Sequence, residues 1–180
     1  MQAADVLPAE LLALIAERGL SGRTALIGVD GLGAAGKTTL AEALASRIGG
    51  VVVHTDDLSA PGSKPWEIDR FIAEVWTPIS QGSAGRYRVH HWTAEQPGDW
   101  REVPAGVPVI LEGVRSTARA NPAPFALKIW VEADEPTRLA RAQQRDPGRF
   151  GCWTTNWMPI ENAWLAGERP DLAADFVVRS

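Results

Sequence analysis

The stretch Val29 to Thr39, "VDGLGAAGKTT", constrains this chain more than any other. It follows the apolar run Ala25-Leu26-Ile27-Gly28-Val29 and precedes a segment with Leu40, Leu44 and Ile48 one helical turn apart, closed by Gly49-Gly50. A buried strand, a glycine-rich turn and a helix are expected in that order. Such a turn aims backbone N–H groups and the positive end of a helix dipole at one point, an arrangement that suits an anion.

Two phosphate-binding patterns overlap there. Gly31, Gly33 and Gly36 spell the dinucleotide fingerprint G-x-G-x-x-G, while Gly31, Gly36, Lys37 and Thr38 spell the P-loop, G-x-x-x-x-G-K-[ST]. Spacing does not separate them, because Asp56 lies where a ribose-binding acid would follow a second strand. Lys37-Thr38 tilts the balance. A dinucleotide loop has no use for them, whereas a P-loop needs the lysine on the β- and γ-phosphates and the threonine hydroxyl on Mg²⁺. Gly31, Leu32, Gly33, Ala34, Ala35, Gly36, Lys37, Thr38 and Thr39 are thus the expected phosphate-binding residues, with ATP and Mg²⁺ as cofactors. An NAD-binding oxidoreductase is the lesser alternative.

Further apolar runs at 51–53, 107–111, 127–131 and 176–178 alternate with helical patterns at 37–48, 67–75, 135–145 and 157–166. Leu7, Leu11, Leu14 and Ile15 add an amphipathic helix before the first strand. Strands alternating with helices imply a parallel α/β sheet covered on both faces, with its ligand site beyond the carboxyl ends of the strands. Residues 77–106, around "YRVHHW" and "DWREV", allow short strands or a hairpin. A loop rich in Gly and Trp is expected before the 157–166 helix. A chain of 180 residues suits one domain spanning 1–180.

A net charge of −4 leaves no basic footprint and argues against nucleic acid as the main partner. No run approaches the roughly 18 apolar residues of a membrane span, and the opening lacks the basic start of a secretory signal. Cys152, alone of its kind, cannot form an internal disulfide. A cytoplasmic protein is expected; nothing in the sequence bears on oligomeric state.

Among nucleotide-handling chemistries, the acids favour transfer over hydrolysis. The third strand ends in a single Glu112 followed by Gly113, without the paired acids of a motor ATPase, and no N-K-x-D base-reading sequence occurs. The pair Asp56-Asp57 instead follows strand two. One of them can accept the proton of an acceptor hydroxyl, while Asp57 or Glu112, with Thr38, supports the metal. Arg138, Arg141 and Arg145 share a helix face, and Arg141 and Arg145 are the choices for neutralising charge on the transferred phosphoryl group. Trp92 and Trp100, near Tyr87, His90 and His91, offer aromatic faces for a planar acceptor. A P-loop ATPase with no small-molecule acceptor is the main rival reading.

Together "GVDGLGAAGKTTLA", "VVVHTDDL", "YRVHHW", "VILEGV" and "TRLARAQQRD" resemble the uridine kinase-like group of P-loop kinases, over about residues 25 to 178. That resemblance implies a three-layer fold with a mainly parallel five-stranded sheet and a small helical lid. It implies transfer of the ATP γ-phosphate to a hydroxyl of a small, nucleoside-like acceptor. It also implies that Asp56 is the base, that Arg141 and Arg145 are lid arginines, and that Tyr87 and His90 lie near the acceptor. The acid loop reads Asp-Asp-Leu where that group has an Asp-Ser-Phe-Tyr type sequence, so the departures gather on the acceptor side.

Overall fold

The structure is a computed structural model that describes residues 7–59, 66–90 and 98–180. Five parallel strands form the main sheet: β1 (Ala25–Asp30), β2 (Val51–His54), β5 (Pro108–Glu112), β6 (Phe125–Glu132) and β7 (Phe176–Arg179), in the order β2-β5-β1-β6-β7. All six residues of β1 and all five of β5 are buried, as continuous apolar runs in a sheet covered on both faces should be. Successive side chains divide between two cores. Ile27, Val29 and Ile110 pack with Leu11 and Ile15 of α1 (Ala9–Glu17) and Leu40 and Leu44 of α2 (Lys37–Ile48). Leu26, Val109 and Leu111 pack on the opposite face with Leu58, Phe71, Val75 and Tyr87.

The strand order separates the two glycine-loop readings. In the dinucleotide-binding fold the first two strands are neighbours. Here β5 lies between β1 and β2, pairing with both. The acids after β2 are therefore one strand removed from the loop after β1.

Two short strands pair as the sequence allowed. Strands β3 (Gly85–Arg88) and β4 (Trp100–Val103) pair antiparallel, with Tyr87 opposite Arg101. The helix expected at 67–75 runs further, as α3 (Ile68–Arg70), a π-turn over Phe71–Trp76 and α4 (Thr77–Ser80). The region after α5 (Glu135–Arg145) departs from expectation. The anticipated Gly- and Trp-rich loop is helical, as α6 (Pro147–Cys152), a π-turn over Trp153–Trp157 and α7 (Met158–Glu168). Asp146 starts this arm by accepting from the Arg149 N–H. Each π-turn runs up to a segment with proline in its first turn, Pro78 or Pro159, where a missing N–H breaks the ordinary helical ladder. A short α8 (Pro170–Ala173) leads into β7. Among the described residues no helix is long and apolar enough to cross a membrane.

Candidate active site

Sheet register brings the expected site residues together. Val29 on β1 and His54 on β2 both pair with Glu112 on β5, so the glycine loop, the acid pair and Glu112 share the carboxyl end of the sheet. There the loop turns from β1 into α2. Gly31 takes φ 153°, and a Cβ on it would run into the Val131 carbonyl. Gly36, at φ 102°, makes the left-handed step into α2 that a side chain would strain. The Lys37 side chain curls over the loop, and its buried ammonium donates to the Leu32 carbonyl at 2.9 Å.

A cavity of about 440 Å³ opens on this loop, lined by Ala34, Gly36, Lys37, Thr38 and Thr39 and, from α5, by Arg141, Gln144 and Arg145. Arg141 Nη1 donates to the Ala35 carbonyl at 3.2 Å and to Ser180 Oγ at 3.0 Å. Arg138, on the same helix, is buried and reaches the Gly33 carbonyl at 3.5 Å. A lysine and two arginines around one cavity at a helix N-terminus are groups whose charge suits an anion.

The acids lie beyond Lys37. Asp56 and Asp57 occupy a 3-10 turn over Thr55–Leu58 that continues β2. The surrounding protein, and then the negative charge of Glu112, hold the Asp56 carboxyl above the usual carboxylate range, against the pull of Lys37. Asp57 faces the β3–β4 pair: Tyr87 donates its hydroxyl to Oδ2 at 3.3 Å, and Arg101 pairs with the same oxygen at 3.4 Å. Burial, and then the charge of Asp57, keep the Tyr87 phenol un-ionised well past its ordinary range. The His90 N–H donates to the Asp57 carbonyl at 2.8 Å, so the acid loop is fastened to the chain after β3 by main chain as well. Trp92 and His91 lie outside the described residues.

Glu112, 5% exposed, lies 2.7 Å from His54 Nδ1 through Oε2. That hydrogen bond raises the His54 pKa above its ordinary 6.5 despite partial burial. Among the described residues no three His, Cys, Asp or Glu side chains form a metal cluster of their own.

Two residues unassigned by the sequence organise the site. Asp30, 1% exposed, accepts the Gly31 and Arg115 N–H groups on Oδ1 and the Thr117 N–H and hydroxyl on Oδ2, all within 2.9 Å. It ties the glycine loop to the loop after β5. Burial pushes its carboxyl up, while these donors and Lys37 pull it down. Glu161 of α7 accepts the Gly33 N–H at 2.7 Å and the Trp153 indole N–H at 3.1 Å. Asp30 stands inside the quoted motif, but its partners Arg115 and Thr117 lie 85 and 87 residues away, so no local signal marks its role. Glu161 had no local signal either.

No family model and no curated protein matches this chain. A solved structure of a possible uridine kinase from Bacillus stearothermophilus is similar over 93% of this chain and 98% of its own, with a TM-score of 0.65 and 18% identity. An uncharacterized protein from Eubacterium ventriosum aligns over 86% of this chain and 87% of its own, with a TM-score of 0.47 and 11% identity. The first likeness concerns fold. The chain has the three-layer α/β fold of a P-loop kinase.

Proposed function

We propose that this protein is an ATP-dependent phosphotransferase that moves the γ-phosphate of Mg·ATP to a hydroxyl of a small molecule, with a nucleoside such as uridine the leading candidate acceptor. One observation carries the reading: Lys37, which lines a cationic cavity on the glycine loop, also acts electrostatically on Asp56, an acid that its buried surroundings hold above the usual carboxylate range. The name of the structural neighbour, a possible uridine kinase, supports the acceptor class.

In this reading Lys37, the loop amides, Arg141 and Arg145 bind the phosphates and stabilise charge on the transferred group. The acceptor oxygen bonds to the γ-phosphorus as the bond to the β,γ-bridging oxygen breaks. ADP departs with that electron pair, and the acceptor proton passes to Asp56. A carboxyl raised above its usual range is a stronger base for this purpose than a free aspartate. Asp57, held by Tyr87 and Arg101, shapes the acceptor side of the cleft.

The side chains fit Mg²⁺. It takes hard oxygen donors, relies on few protein ligands and keeps phosphate and water in its shell. Thr38 lines the cavity beside Lys37 and is the direct ligand proposed, with Asp57 and Glu112 supporting through water. When bound, Mg²⁺ neutralises phosphate charge.

The test is Asp56→Asn, assayed for phosphorylated product by mass spectrometry over a panel of nucleosides and sugars. Mg·ATP affinity should stay within about threefold while transfer slows by about a hundredfold or more. Unchanged transfer in the variant would overturn the assignment of Asp56. Wild-type ATP hydrolysis indifferent to every acceptor would overturn the phosphotransferase.

A further inference from the structure

The peptide of Gly33 is gripped from outside the cavity. Its N–H goes to Glu161 Oε2 at 2.7 Å, and its carbonyl faces the buried Arg138 guanidinium at 3.5 Å. Glu161, itself 8% exposed, reaches the indole N–H of Trp153 with its other oxygen. Trp153 lies so close over Gly33 that a Cβ there would stand 2.8 Å from the indole nitrogen and 3.0 Å from Glu161 Oε1. Neither Gly33, Trp153 nor Glu161 lines the cavity. The carboxylate holds the loop from the side of the α6–α7 arm.

We infer that Glu161 is a positioning residue, which braces the phosphate-binding loop against the α6–α7 arm and so sets nucleotide affinity. A loop that binds through backbone amides gains affinity when those amides are fixed before the ligand arrives. Gly33 has no side chain of its own to hold it. A buried carboxylate accepting two N–H groups, one from the loop and one from the arm, supplies that order and couples the loop to the arm's position. The inference rests on reading the cavity as a nucleotide site.

The experiment compares wild type, Glu161→Gln, Trp153→Phe and the double variant by amide hydrogen exchange of residues 31–39 without nucleotide. Mg·ADP affinity is measured in parallel by calorimetry. In E161Q one of the two N–H groups faces an amide NH₂ instead of an oxygen. Loop exchange should quicken and Kd should rise, each by about tenfold, which is the worth of one hydrogen bond to a charged acceptor. Trp153→Phe should share the effect, and the double variant should show less than the product of the two. Loop exchange equal to wild type in E161Q would overturn the brace, even if the variant melts earlier. Quickened exchange with an unchanged Kd would overturn the link to affinity. Quickened exchange in a protein whose wild type binds no Mg·ADP would uphold the brace and overturn the nucleotide reading. Should E161Q fail to fold, Glu161→Asp keeps the charge one methylene short and is read in the same way.

Discussion

Asp30→Asn tests whether the glycine loop depends on a single buried carboxylate. The two side chains have nearly the same shape, so the change isolates hydrogen bonding and charge. Oδ1 takes two backbone N–H groups and Oδ2 takes one N–H and one hydroxyl. Asparagine does least harm with its NH₂ toward Thr117, whose hydroxyl can turn and accept. The Thr117 N–H then has no acceptor, a loss of about 1–3 kcal/mol for a buried group. The Gly31 and Arg115 N–H groups exchange a charged acceptor for a neutral one, about 1 kcal/mol each. Relief from burying a charge offsets part of this, since desolvation is the largest influence on the Asp30 carboxyl. The net expectation is a destabilisation of about 3 kcal/mol, read as a lower urea midpoint with an unchanged slope. Asp30→Ala, which removes both oxygens, should cost more. An Asp30→Asn variant within about 1 kcal/mol of wild type would refute the reasoning, because the four contacts would then contribute little net stability.

Two further outcomes are expected. The His54–Glu112 contact raises the His54 pKa in the folded protein above its ordinary 6.5. Its contribution to stability is therefore fully present below about pH 6.5 and is lost as pH rises through the higher folded value. Thermal melts of wild type and His54→Gln should differ more at acid than at alkaline pH; a gap that widens with rising pH would refute this. Arg141→Ala should raise the Kd for Mg·ADP by about tenfold, one charge-assisted contact's worth, and leave the urea midpoint near wild type. Calorimetry showing unchanged affinity would remove Arg141 from the phosphate site.

What could be read from the sequence follows how local each signal is. Strands β1 and β5 were legible because a strand buried on both faces is a continuous apolar run, bounded here by glycine loops. The β3–β4 pair was fainter: Tyr87 alternates with Arg86 and Arg88, but four residues beginning at Gly85 carry little period. The arm at 147–168 looks partly like loop in the sequence for a physical reason. Gly148, Gly151, Thr154 and Thr155 are poor helix formers, and the segment is held by the Asp146 cap and by its seat on the glycine loop. The pairing of His54 with Glu112 depends on register through β5, and the role of Asp30 on a loop more than eighty residues away. Tertiary structure alone supplies those.

Gly33 shows how far such a difference reaches. In the sequence it completes the dinucleotide fingerprint, and that overlap with the P-loop is what made two cofactors conceivable. A fingerprint glycine admits the backbone to a pyrophosphate. Here Gly33 lies outside the cavity lining, and its missing side chain makes room for Trp153 and Glu161. The coincidence of motifs therefore has a packing cause: an arm that presses on a P-loop needs a glycine at the point of contact. In the proposed function the loop from Gly31 to Thr39 binds the phosphates, and the Gly33 peptide is also held from the arm side by Glu161 and Arg138. A Gly33→Ala change should accordingly disturb the arm, and nucleotide binding with it.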